Sequence, residues 1–200
     1  EGSYVFAFTL IGLGIFSILF SIQKKTFRPI AGAGAVFLLC VLLAGPKLFP
    51  MIELMREFPR VTDAGGAIPL KHLGQIFLDR RSDPEFAFRF IRPLGWWEFG
   101  SYIGIVPLVL FFLSFRLMKE RWPFIVTAVL LCLMGFGNFS PFSPWGIFHH
   151  LPVFSNMHVP SRIFIVFVFM LAILCGLCLN SFDPKTKRGI LFRNIVMAGV

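Results

Sequence analysis

Charge is scarce in this chain. Only 14% of its 200 residues are Asp, Glu, Lys or Arg, 56% are apolar, and the mean hydropathy is +0.80. An ordinary soluble domain carries roughly 25% charge, so that class is excluded. Material for a disulfide framework is also lacking. Cys40, Cys132, Cys175 and Cys178 all lie inside apolar runs, where a thiol behaves as a small hydrophobe. The net charge of +9 does not point to nucleic acid. Its basic residues stand in short clusters beside apolar runs, as topology determinants do, and nucleic acid is not an expected partner.

What the chain does have is long uncharged stretches. Five runs come close to the roughly 20 residues that a helix needs to cross a bilayer: Ser3 to Ile22, Pro29 to Phe49, Phe99 to Phe115, Trp122 to Gly137 and Ile163 to Phe182. A sixth starts near Asn194, and only Lys47 interrupts the set, near a span end from which its ammonium can reach the interface. Lipid offers no partner to backbone groups, and the alternation of a membrane barrel is absent, so the spans are expected to be helices. The first run lacks the basic lead-in and cleavage site of a signal peptide. The expected fold class is therefore all-α integral membrane: a polytopic transmembrane helix bundle with short interfacial helices in two long outer loops. The chain begins at Glu and ends a few residues into its sixth run, so it reads as a fragment of one transmembrane domain over 1–200.

Loop charge sets the expected orientation. Lys24, Lys25 and Arg28, then Arg116, Lys119 and Arg121, then Lys185, Lys187, Arg188 and Arg193 mark three compact alternate loops. These are cytoplasmic by the positive-inside rule. The opposite side holds nine basic residues against ten, but spread over long segments. Loops 50–98 and 138–162 are then outside the cytoplasm. In the first, Leu70, Leu73, Ile76 and Phe77 have helical spacing within Pro69 to Leu78, which suggests a helix lying flat at the interface. Phe86, Phe88 and Phe90 alternate as in extended chain. In the second, Ser143 and Pro144 form an N-cap and first helical residue for a short helix through His150. Trp96, Trp97, Trp122 and Trp145 stand near span ends, as an aromatic belt requires.

These two loops carry the candidate chemistry. The stretch LPVFSNMHVPSR places Arg162, with Ser161 beside it and His158 just before, at the start of the fifth span. A cation beside free helix N–H donors suits a phosphate or pyrophosphate, although arginine also anchors span ends to lipid head groups. Glu98, at the start of the third span, could act as an acid or base or bind a divalent metal ion; it also suits a helix N-terminus for dipole reasons alone. Arg56 and Arg60 follow the second span closely enough to stay near the membrane. His149, His150 and His158 have no acidic ligand nearby in sequence, and adjacent histidines on one short helix point apart, which favours packing over metal. Cys175 and Cys178 lack the second pair that a zinc site needs, and core packing is again favoured. The Asn138 sequon abuts a span end and precedes Pro141, which speaks against glycosylation.

Two stretches, WWEFGSYIGIVPLVL and GFGNFSPFSPWGIFHHLPVFSNMHVPSRIFIVFVFMLAILCG, together resemble the YfhO-like bacterial multipass membrane proteins. Those proteins are similar to the C-type membrane glycosyltransferase superfamily. The resemblance covers roughly residues 45–180, with "LPxF" followed by "xPSR" before an apolar span as its most specific part. It implies a bacterial plasma-membrane protein that uses a polyprenyl-phosphate-linked sugar to modify a lipid or a surface polymer on the outer face. The catalytic acidic residue of that superfamily typically lies in an earlier outer loop, so no residue here matches it. Arg162 is the carry-over candidate for the donor phosphate, by position and charge. The rival expectations are a transporter, a lipid-handling protein or an assembly protein without chemistry. No acidic residue occurs at mid-depth in the five spans, which disfavours ion-coupled transport.

The orientation predicts that a cysteine placed at Ser82 reacts with a membrane-impermeant maleimide added outside intact cells. Labelling only after the cytoplasmic face is exposed would reverse it.

Overall fold

The computed structural model describes residues 2–58, 67–80, 100–150, 157 and 159–182. Among them every regular element is a helix: α1 (Gly2–Lys24), α2 (Arg28–Glu57), a 3-10 turn (Leu70–His72) running into α3 (Leu73–Leu78), α4 (Ile105–Ser114), α5 (Met118–Gly135), α6 (Pro144–His149), and a 3-10 turn (Pro160–Ile163) running into α7 (Phe164–Asn180). Three helical stretches are long and apolar enough to cross a membrane: Val5–Lys24, Arg28–Leu54 and Pro160–Asn180. They coincide with the first, second and fifth expected spans.

The third and fourth expected spans are shorter than their apolar runs. Residues 101–104 are not helical and Gly104 has φ +85, so α4 starts only at Ile105 and gives way at Ser114 to a 3-10 turn, Phe115–Leu117. The next helix contains a kink, with Arg121 at φ −123 and ψ 17 immediately before Trp122 and Pro123. Proline has no N–H and its ring crowds the preceding turn, so a break there is the expected response. Hydropathy registers how apolar a run is; it does not register where the backbone leaves helical geometry.

The first two helices are joined by a tight C-cap. Thr26 N–H donates to Ser21 O at 3.2 Å and Lys25 N–H to Ile22 O at 3.3 Å, with Lys25 at φ 50. This is the Schellman arrangement, in which the left-handed position usually belongs to glycine. Pro29 then sits in the first turn of α2, where a missing N–H has no cost. At 30 residues α2 is about 45 Å long, longer than the roughly 30 Å hydrocarbon core. It stays helical through Pro46 and Pro50 and packs mainly on α1. Leu42 and Leu43 are 66% and 76% exposed, a surface that suits lipid and not water.

The core lies among α1, α4, α5 and α7. Gly135 permits the close crossing of α5 and α7, because a Cβ there would collide with the buried ring of Phe164. Gln23 Nε2 donates to Glu120 O at 2.8 Å. That bond brings the end of α1 to the start of α5, so the two basic turns around Lys24 and Arg121 lie at one end of the bundle. At the other end α3 and α6 form a layer of short elements. Ile68 N–H donates to Phe136 O at 2.9 Å, and Ile103 and Gly104 N–H both donate to Phe77 O, at 2.9 and 3.1 Å. Phe77 packs edge-on against Phe136 and Phe164 at 6.3 and 5.3 Å between centroids.

This layer corrects two expectations. Trp145 is not in an interfacial belt: it is completely buried, 6.0 Å from Phe8 in a T-shaped pair. Of the apolar set in the 69–78 helix, Ile76 and Phe77 are buried while Leu70 and Leu73 are 49% and 38% exposed. The buried stripe is Ile68, His72 and Ile76, spaced four residues apart. Phe86, Phe88, Phe90, Trp96, Trp97 and the sixth run lie outside the described residues.

Gly135→Ala should overpack the crossing of α5 and α7 and cost about 1–3 kcal/mol, lowering the unfolding midpoint of the detergent-solubilised protein. Phe164→Leu in the same background should restore part of the loss. Equal midpoints for wild type and Gly135→Ala would mean that the helices do not meet there.

Candidate functional site

The candidate site is the layer at the bundle end opposite the basic turns. Its first part is α6, which forms as the sequence indicates. Ser143 is extended at φ −62, ψ 135, its Oγ accepts from Gly146 N–H at 3.0 Å, and Pro144 supplies the first helical residue. The same Ser143 hydroxyl donates to Asn138 Oδ1 at 3.1 Å. The amide of the discounted sequon is thus part of the cap.

The helix then ties down the approach to α7. His149 Nε2 stands 3.2 Å from Met157 O. A carbonyl can only accept, so Nε2 carries the proton in this contact. The imidazole also lies 5.9 Å from the Trp145 ring. His149 thus donates to the backbone and lies beside the Trp145 ring. His150 is exposed.

Arg162 sits in the 3-10 turn that leads into α7. Pro160, Ser161 and Ile163 in that turn are buried, and Arg162 is half-buried with its N–H 3.4 Å from Val159 O. The turn packs against α5 and α1, so its backbone is held by the core, and Arg162 is its one partly exposed residue. A cation at a helix N-terminus is unfavourable toward the helix dipole. An anion bound there would meet both the guanidinium and the dipole.

Of the remaining sequence candidates, Arg56 is exposed in the last turn of α2 and has no polar partner among the described residues. Arg60, Glu98 and His158 lie outside the described residues. Ser161 and Arg162 are the two candidates that the fold brings together, and they are chain neighbours. Among the described residues no three His, Cys, Asp or Glu side chains gather as a metal site would require. Cys175 Sγ donates to Pro107 O at 3.4 Å and Cys178 is buried, both as packing groups.

Two further buried polar residues stand out in the fold though not in the sequence, His72 and Ser21. His72 is 7% exposed and its Nδ1 lies 3.2 Å from Gln75 Oε1. Its position four residues before Ile76 was the available signal, obscured because only apolar residues were counted toward the stripe. Ser21, in α1, is also 7% exposed; a serine within an apolar run gives no such signal.

Set against family models, curated proteins and solved structures, the chain matches none. What the fold defines, among the described residues, is an all-helical arrangement with three helices long and apolar enough to cross a membrane.

Ser143→Ala should cost about 1–2 kcal/mol through loss of the cap, read as a lower thermal unfolding midpoint in detergent. An unchanged midpoint would show that α6 does not depend on it.

Proposed function

We propose that this chain is part of a polytopic bacterial plasma-membrane protein that transfers a sugar from a polyprenyl-phosphate carrier to a lipid or surface polymer at the outer face. In this reading all five apolar runs belong to the membrane domain, and the layer carrying α3 and α6 faces outward. The observation that carries it is the placement of Arg162: half-buried, at the start of α7, in a turn whose other residues are buried, and at the bundle end away from the basic turns. Position and charge together make Arg162 the residue suited to the donor phosphate in this reading.

The chemical role follows from charge. Transfer leaves negative charge on the departing lipid phosphate, and a fixed guanidinium offsets it. Activation of the acceptor hydroxyl needs a carboxylate, assigned here to an outer loop earlier in the full protein. A lipid-handling protein without transfer chemistry is the second reading, favoured by the open apolar groove between α1 and α2.

Arg162→Ala in the intact protein should reduce the glycan product about tenfold or more, as expected for loss of a charge-assisted contact of roughly 1.5–3 kcal/mol, at unchanged membrane abundance. Arg162→Lys should retain part of it. Full product from Arg162→Ala at equal abundance would remove the phosphate contact from the proposal.

A further inference from the structure

The hairpin formed by α1 and α2 leaves a groove that the core does not fill. Two adjoining cavities of about 280 and 340 Å³ run along it and share Ile18 and Ile30. Together they reach the size of ligand pockets, about 300–1,000 Å³. The first is lined along the helices by apolar side chains, by Ser17 and by Gly14 and Gly34. A Cβ added at either glycine would meet nothing within 4 Å, so these glycines leave open space and do not serve a close helix contact.

The second cavity lies at the turn and is also mainly apolar. Ser21 and Lys25 line it. Ser21 is 7% exposed, and its Oγ has no hydrogen-bond partner among the described residues. Ser17, one turn earlier, returns its hydroxyl to Gly14 O at 2.9 Å. A buried hydroxyl without a partner is costly; a ligand with acceptor oxygens would satisfy it. Around the same turn Lys25 and Arg28 are exposed with no acidic partner among the described residues, while Lys24 Nζ lies 5.8 Å from the centre of the Phe20 ring.

We infer that this groove is a binding site for an anionic phospholipid, with an acyl chain along Ile18, Ile30 and Gly34 and the phosphodiester at Ser21, Lys25 and Arg28. Charge complementarity selects the occupant. An apolar channel that ends at a buried hydroxyl and the Lys25 ammonium, with Arg28 close by in sequence and neither cation paired with an acidic group among the described residues, matches a hydrocarbon chain ending in a phosphodiester, and a neutral lipid leaves the cations uncompensated. Lys25 holds a left-handed position where glycine is favoured, so its side chain can be removed while the turn is kept. The site rests on α1 and α2 lying in a membrane and is independent of sugar transfer.

The test is native mass spectrometry of the delipidated full protein in detergent, titrated with palmitoyl-oleoyl phosphatidylglycerol or with the matching phosphatidylcholine. Wild type should bind one phosphatidylglycerol more tightly than phosphatidylcholine. Lys25→Gly should weaken phosphatidylglycerol about fivefold, the effect of one cation near an anionic surface, with phosphatidylcholine unchanged and the unfolding midpoint equal or higher. Gly34→Leu should fill the channel and weaken both lipids severalfold. Equal binding of the two lipids by wild type, or undiminished phosphatidylglycerol binding in both variants, would overturn the inference. A protein dimer lost in Gly34→Leu would assign the groove to a second copy and overturn it as well.

Discussion

Phe77 joins parts of the chain that are distant in sequence. Its carbonyl accepts from the N–H groups of Ile103 and Gly104, and its ring packs into Phe136, Phe164 and Phe167. One residue thus connects the 67–80 segment, the lead-in to α4, the end of α5 and the start of α7. Each edge-to-face aromatic pair contributes about 0.5–1.5 kcal/mol beyond area burial. More important is what the network positions. The Pro160–Ile163 turn is set by the same cluster, because Phe164 follows it directly, and Arg162 is placed as its one partly exposed residue.

The two ends of the bundle use different physics. At the loop end, burial is dense: Trp145, Phe8, Phe136 and Phe164 are each at most 1% exposed, and polar groups there are absorbed into local caps such as Ser143 with Gly146. At the turn end the α1–α2 hairpin is held by backbone capping and by Gln23 on Glu120 O. Its apolar surface remains largely uncovered by the described chain. A helix such as α2, intact through two prolines and exposed along its length, makes sense in a hydrocarbon solvent, where its backbone must remain internally bonded.

Helix type and the three described helices long and apolar enough to cross a membrane were legible because apolar run length and the absence of charge are local properties. The α6 cap was legible too, since Ser143 followed by Pro144 acts through its own backbone. The start of α4 and the kink at Arg121 were not, because a run can stay apolar while its backbone changes conformation. Trp145 was misplaced for a related reason. A tryptophan near a span end suits either an interface or a core, and only the arrival of Phe8 from α1 decides between them. For the candidate site, Ser161 and Arg162 could be picked out as chain neighbours, whereas His72 and Ser21 become notable only through burial.

The sequence by itself determined that this is a helical chain suited to a membrane, where its basic turns fall, and which short motifs cap its smaller helices. All of these follow from interactions within a few residues and from partitioning between water and hydrocarbon. Tertiary structure alone decided which aromatics form the core, that Phe77 links four segments, that Arg162 is the one partly exposed residue of a buried turn, and that the α1–α2 hairpin leaves a groove with Ser21 at its end. Those outcomes depend on which residues distant in sequence pack against one another. Local pattern carries no record of that pairing.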